Sequence, residues 1–126
     1  MPIRKLTFGT PGKIVPSRFC KNFAFTPGDV VFPADCIDAR PVAGGFRLEF
    51  PLAADEHVYG FGLQLKEFDH KGHKVTLRVN ADPVKATGDS HAPVPFVVTT
   101  RHRGFYLDTA RAAEFYCGYP QLHQKA

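Results

Sequence analysis

Alternation of apolar and polar residues is the feature that most restricts what this chain can fold into. Residues 46–50 (FRLEF) and 74–79 (KVTLRV) both alternate with a period of two. Successive side chains on a strand point to opposite faces of the sheet, whereas an amphipathic helix repeats every three to four residues. The alternation therefore predicts strands.

The composition supports short strands joined by many turns. The chain has 12 Phe, 11 Gly and 11 Pro and no Trp, and the only helical candidate, 108–114, is short enough to be a corner. Hairpins are predicted over 63–80 and 94–108. Further strands are expected at about 3–8, 12–16, 29–32, 58–65 and 113–119. These patterns predict an all-β fold, an antiparallel β-sandwich.

The length of 126 residues predicts one domain, a single β-sandwich over 1–126. A complete (β/α)8 barrel typically needs about 250 residues, so the chain is too short to hold one. The compartment in which the protein works is left open by the sequence.

Charge and hydropathy give no sign of nucleic-acid or membrane partners. The net charge is +4, but the basic residues are scattered, and the densest cluster, 101–103, falls in a predicted turn. Most Phe rings are expected in the core, which leaves few to stack on bases. No apolar run approaches the roughly 18 residues of a membrane helix.

The cysteines and histidines predict neither a disulfide framework, nor a metal site, nor a cofactor. The three cysteines form no C-x-x-C pair, and Cys117 is expected to be a small buried apolar residue. His70 and His73 lie three apart, which on a strand directs them to opposite faces, so turn and surface histidines are expected.

The run Asp89-Ser90-His91 has the residue types of a hydrolytic triad. A triad is assembled by convergence in space, and three consecutive side chains rarely aim at one another. A loop with local hydrogen bonds is therefore expected here. Arg111 is expected to form a structural salt bridge.

An ordered series of motifs between Glu56 and Gly118 resembles the amino-terminal β-sandwich of family 31 glycoside hydrolases. The series comprises EHVYGFGLQLKEFDHKG, then LRVNADPVKATGDSHAPVPFVVTT, then GFYLDTARAAEFYCG. The likeness covers roughly half of the chain, and the order of the motifs is more specific than any one of them. The family includes α-glucosidases, α-galactosidases and α-xylosidases.

The resemblance implies a galactose-mutarotase-like sandwich that packs on a catalytic barrel and contributes a loop to the rim of its active site. In family members an Asp of an Asn-x-Asp loop contacts the sugar, and the matching residue here is Asp82. A carboxylate can accept hydrogen bonds from two sugar hydroxyls. The alternative is that Asp82, just before Pro83, forms a turn, and for the isolated chain this role is favoured.

The resemblance places no catalytic residue in this chain. The family uses two carboxylates about 5 Å apart, and both lie on the barrel. The chain is also short for the complete family sandwich. An alternative is therefore an incomplete sandwich, whose uncovered edge or apolar face could self-associate.

Two other functions stay open. A free-standing carbohydrate-binding or protein-interaction module would use exposed rings, and Tyr59, Tyr106, Tyr116 and Tyr119 are candidates. A small enzyme ranks last, because no motif assembles a nucleophile with a base.

Overall fold

The computed structural model describes residues 2–3, 5–10, 26–27, 36–65, 67–81, 88–109 and 111–120. These residues belong to two compact units, Met1–Pro51 and Leu52–Ala126. All regular structure of more than one residue in the described ranges is β-strand. None of these residues forms a helix that is long and apolar enough to cross a membrane.

The described residues of the first unit form two small sheets. Strands β1 (Pro2–Ile3) and β2 (Thr26–Pro27) pair in parallel. Strands β3 (Asp38–Val42) and β4 (Gly45–Glu49) form an antiparallel hairpin around a two-residue turn, in which Gly44 has a φ of 80°. A positive φ at this turn suits glycine, because a side chain would be strained there.

In the part of the second unit that the structure describes, there are two three-stranded sheets. The first is antiparallel, in the order β5 (Val58–Gly62), β8 (Pro93–Thr99), β9 (Gly104–Tyr106). The second has the order β10 (Ala113–Tyr116), β6 (Lys74–Val79), β7 (Asp89–Ser90), with β7 parallel to β6.

The core of this unit lies between its two sheets. Phe61 of β5 is fully buried, and its ring centroid is 4.8 Å from that of Phe115 on β10. Contacts between rings of different sheets show that the sheets pack face to face, as in a sandwich. The core is a cluster of alternating strand residues and one cysteine: Val58, Phe61, Val75, Leu77, Val97 and Cys117.

The all-β prediction is confirmed, as are the strands predicted at 46–50, 74–79 and 113–119 and the hairpin at 94–108. The corner predicted at 108–114 contains no helix in its described residues. The strands predicted at 12–16 and 29–32 lie outside the described residues, and a single domain over 1–126 stays a prediction.

The predicted hairpin at 63–80 is wrong. Strand β5 ends at Gly62 and pairs with β8, while β6 pairs with β10 and β7. The prediction favoured the nearest partner in sequence, but pairing across about forty residues brings the apolar faces of both sheets together. The strand predicted at 3–8 is also shorter, since Pro2–Ile3 is paired but the described residues 5–8 form no strand.

The expectation that most Phe rings are core is also wrong for the described residues. Phe46, Phe68 and Phe96 are exposed, and of the described phenylalanines only Phe61 is fully buried. Alternation indicates that one face of a strand differs from the other, and the prediction assigned the apolar face to the core. Both faces of β8 carry apolar side chains, so one apolar face stays exposed.

Candidate functional site

The loop between β6 and β7 is the candidate site, because it carries Asp82. Asp82 lies outside the described residues, but the structure describes both ends of its loop, Asn80–Ala81 and Gly88 onward. These two ends, with the strand residues that hold them, are called the loop base.

Backbone pairing holds the loop base together. Strand β7 runs parallel to β6, with Arg78 opposite Asp89 and Val79 opposite Ser90. The Asn80 N–H then donates to the Ser90 carbonyl over 2.9 Å. Because both ends belong to one sheet, the loop leaves and re-enters the domain at a defined place.

Gly88 permits this close return of the chain. Its φ is 97°, and an added Cβ would lie 2.6 Å from the Thr76 carbonyl oxygen and from a Val75 methyl carbon. Only glycine fits such a position, since a side chain would meet both backbone strain and a steric clash. Glycine at position 88 is therefore a requirement of the loop base.

An ion pair on the outer side of the sheet joins the two strands of the loop base. The Arg78 guanidinium donates to Asp89 Oδ2 over 2.6 Å, and the Asn80 side-chain amide donates to the same oxygen over 3.3 Å. The hydrogen bond from Arg78, followed by that from Asn80, lowers the pKa of Asp89 below its ordinary value. Asp89 is thus held as an acceptor and is engaged within the loop base.

His91 and Ser90 complete the arrangement. His91 Nε2 forms a hydrogen bond with the Ala81 carbonyl, which joins the two ends of the loop a second time. Ser90 is fully buried, and its hydroxyl has no hydrogen-bond partner among the described residues. Asp89 and His91 bond to different groups and do not form a triad with Ser90. The expected local hydrogen bonds are present, but Asp89 and Ser90 form strand β7 and not a loop.

A surface hollow of about 360 Å³ lies beside the loop base. Most of its lining residues are apolar: it is lined by Leu77, Arg78, Val79, Pro93, Pro95, Thr109, Arg111 and Ala112. Such a hollow can accept an apolar group. The sequence did not predict it, because it arises where β6 and β8 of different sheets come together.

Within the described residues, no group of three or more His, Cys, Asp or Glu side chains could hold a metal ion. His73 lies in the expected turn, where its N–H donates to the His70 carbonyl over 3.0 Å. The expected surface position is wrong for His70, which is buried, with its ring edge-to-face on Phe61 at 4.9 Å. Burial lowers the pKa of His70, because it disfavours the charged ring.

Cys117 is buried, as expected for a small apolar residue. Burial raises the pKa of its thiol to about 12. The thiol is therefore protonated at neutral pH and lacks the reactivity of a nucleophile, which requires the thiolate.

Tyrosine rings stand on the outer face of the second sheet. The Tyr116 hydroxyl donates to Glu114 over 2.9 Å, and Lys74 Nζ lies 5.1 Å from the centre of the Tyr116 ring. The Tyr119 ring is 6.3 Å from that of Tyr116. Two neighbouring rings beside charged groups could contact the apolar face and the hydroxyls of a sugar.

Comparison with known families identifies the family of this chain. Residues 37–115 match the family described as the glycosyl hydrolase 31 N-terminal galactose mutarotase-like domain. No curated protein matches the chain. The matched range includes β3 to β9, the loop base and most of β10. The chain therefore belongs to the family of glycosyl hydrolase 31 N-terminal galactose mutarotase-like domains.

Proposed function

We propose that this chain is the non-catalytic amino-terminal sandwich of a family 31 α-glycoside hydrolase. It packs on the catalytic barrel of that enzyme and contributes the 81–88 loop to the rim of the active site, where Asp82 contacts the carbohydrate substrate. The match over 37–115 carries this proposal, since the family is named as the amino-terminal part of a hydrolase.

The loop base supports a positioning role for this loop. A residue that contacts substrate at the rim of an active site must be held in place by the base of its loop, because small displacements weaken hydrogen bonds steeply. The β6–β7 pairing, the Arg78–Asp89 ion pair and the His91 bond to Ala81 all fix the ends of the loop.

The experiment on Asp82 uses the endogenous enzyme that carries this chain. Asp82→Asn keeps a side chain that forms turns equally well but removes the charge that attracts sugar hydroxyls. We expect kcat/KM for aryl α-glycosides to fall about tenfold to a hundredfold, as for loss of hydrogen bonds to a charged group.

Asp55→Asn is the matched control, because Asp55 is an exposed aspartate that bonds to Arg101 in the turn between β8 and β9 and is not part of the loop base. Its kcat/KM should equal that of the wild-type enzyme. Equal activity of Asp82→Asn and wild type would assign Asp82 to turn formation alone and contradict the substrate contact.

The intact mass of the endogenous protein tests the larger proposal. An enzyme with a barrel has a mass several times that of this chain, which is 14.0 kDa. A native species of 14.0 kDa would contradict the proposed packing on a barrel.

The second candidate function is a free-standing carbohydrate-binding module, favoured by the ring contact between Tyr116 and Tyr119. Sugar titration of the 126-residue chain separates the two functions. Binding at millimolar concentration or tighter that is lost in Tyr116→Ala and kept in Asp82→Ala would support the module.

A further inference from the structure

Residues 69–73 connect the two sheets of the second unit along one side of the sandwich. Toward the first sheet, the His70 N–H donates to the Val58 carbonyl of β5 over 2.8 Å. Toward the second sheet, the Gly72 N–H donates over 2.6 Å to the carbonyl of Cys117, the residue that directly follows β10. We call residues 69–73 the clasp, because their backbone bonds to both sheets.

Side chains attach the clasp to the turn before β5 as well. Asp69 Oδ2 lies 2.5 Å from His57 Nδ1, and Asp69 Oδ1 accepts the Lys71 N–H over 3.0 Å. The Lys71 ammonium in turn donates to the Ala54 carbonyl. These side chains are partly exposed, so they hold the clasp at its water-facing side.

His70 holds the clasp at its inner side. The residue is only 3% exposed, and its ring lies edge-to-face with Phe61, the fully buried residue of β5. A neutral imidazole suits this apolar position. A protonated ring would lose its hydration there without a buried counter-charge, which is costly.

The charged groups around the ring do not compensate for this burial. Burial is the largest cause that lowers the pKa of His70, and the charge of His73 acts in the same sense. Asp69 and Glu67 act in the opposite sense but do not reverse the shift. Strand β5 contains no charged residue, and the Cys117 thiol beside the clasp is protonated at neutral pH.

We propose that the clasp is a pH-sensitive latch, which stays bonded to both sheets while the His70 ring is neutral and detaches when that ring takes up a proton. Detachment brings the charged ring into water and opens the core beside Phe61. His57 acts in the opposite sense, because a protonated His57 forms an ion pair with Asp69. The latch belongs to this domain itself and does not depend on the proposed function.

The latch opens toward acid. Histidine has an ordinary pKa of 6.5, and that of His70 in the closed clasp is lower. The contribution of His70 to the free energy of opening is therefore complete above pH 6.5 and is lost as the pH falls from 6.5 through the closed-state pKa. Carboxyl groups ordinarily titrate near pH 4, so a comparison of pH 7 with pH 5 reports on histidines.

Hydrogen–deuterium exchange of the 126-residue chain, measured by mass spectrometry at pH 7 and pH 5 and corrected for intrinsic exchange rates, tests the latch. His70→Gln keeps a polar side chain that cannot take up a proton. From pH 7 to pH 5, we expect protection of peptides that span the clasp to fall at least about threefold more in the wild-type chain than in His70→Gln. Peptides from β8 and β9 should keep their protection in both.

His73→Gln is the matched control, because His73 lies in the same segment and is exposed. Its exchange at both pH values should equal that of the wild-type chain. Equal pH dependence in the wild type and in His70→Gln would overturn the inference, as would loss of the pH dependence in His73→Gln. Joint loss of protection in β8 and β9 would mean that acid unfolds the whole unit, which would also overturn it.

A second measurement decides the matter if His70→Gln is unprotected already at pH 7. The ring C–H signals of His70 in the wild-type chain, followed by NMR against pH, should titrate with a midpoint below 6.5 and change together with clasp protection. A midpoint at or above 6.5 would overturn the latch.

Discussion

Glu56 is the residue whose surroundings most constrain its chemistry. It is fully buried, and it accepts hydrogen bonds from the Arg103 guanidinium and from the Ala53 N–H. Burial would raise the pKa of Glu56, but the hydrogen bonds from Thr99, Arg103 and Ala53 outweigh it and lower the pKa to about 2. A buried carboxylate of this kind joins the turn before β5 to the turn between β8 and β9.

Removal of the cationic partner should destabilise the fold. In Arg103→Ala, Glu56 is left buried and unpaired, and breaking a buried pair in this way costs about 3–5 kcal/mol. Denaturant unfolding measures the loss. Arg40→Ala removes a member of an exposed ion pair with Asp38 and should leave stability unchanged. Equal stabilities for the two variants would contradict the role assigned to Glu56.

Acid should weaken the fold through the same carboxylate. The folded-state pKa of Glu56, about 2, lies below its ordinary value of 4.5, so its contribution is fully present above pH 4.5. The contribution is lost as the pH falls from 4.5 through 2. The free energy of unfolding, measured against pH, should fall less steeply over this range in Glu56→Gln than in the wild-type chain. Parallel curves would count against this prediction.

At the scale of elements, the strands could be predicted from the sequence more fully than their partners. Alternation at 46–50 and 74–79 identified β4 and β6, because period two is a local property. Strand β3 was missed, since Asp38–Val42 carries charges and Pro41 and no alternating apolar face. The loop of Asp82 was identified by resemblance, whereas its base depends on β7 lying beside β6, which no local pattern encodes.

A bulge in β5 provides a test at this scale. The register with β8 shifts between Gly60 and Gly62, and Phe61, with a φ of 64°, is turned into the core. Gly60 has a φ of 133°, and an added Cβ would lie 2.3 Å from the Phe96 carbonyl oxygen. Gly60→Ala should therefore cost about 2–3 kcal/mol of stability.

Gly45→Ala is the control for this substitution, because an added Cβ there meets no atom within 4 Å. Thermal unfolding of both variants gives the comparison. A melting temperature of Gly60→Ala equal to that of Gly45→Ala would mean that the bulge relaxes without cost.

At the scale of the whole molecule, the chain combines a packed core with a large uncovered apolar surface. The core contains Phe61 and its neighbours, and the exposed Val94, Phe96 and Val98 lie on the far side of the same sheet. Each sheet alone would bury one face, so the second apolar face needs an explanation beyond the fold. The resemblance predicted such a face in general terms, but its location depends on strand register, which the sequence does not reveal.

The 126-residue chain should not hydrolyse aryl α-glycosides. The retaining mechanism needs two carboxylates about 5 Å apart across the sugar, and in the proposed function both belong to the barrel and not to this chain. Release of nitrophenol from 4-nitrophenyl α-glucoside and α-galactoside, measured with homogeneous protein, tests this. Turnover that copurifies with the chain would contradict a purely non-catalytic role.

The pairing of strands distant in sequence also determines when this domain can fold. Val58 pairs with Thr99, and Phe115 pairs with Val75, so each sheet joins residues about forty positions apart. Distant pairings delay folding, because loop closure must precede the contacts that stabilise it. During synthesis, β5 has no partner until β8 has been made, and the sheet of β6 remains incomplete until residues 113–116 follow. The nascent chain therefore carries open strand edges almost until its second unit is finished, and only then can its core close.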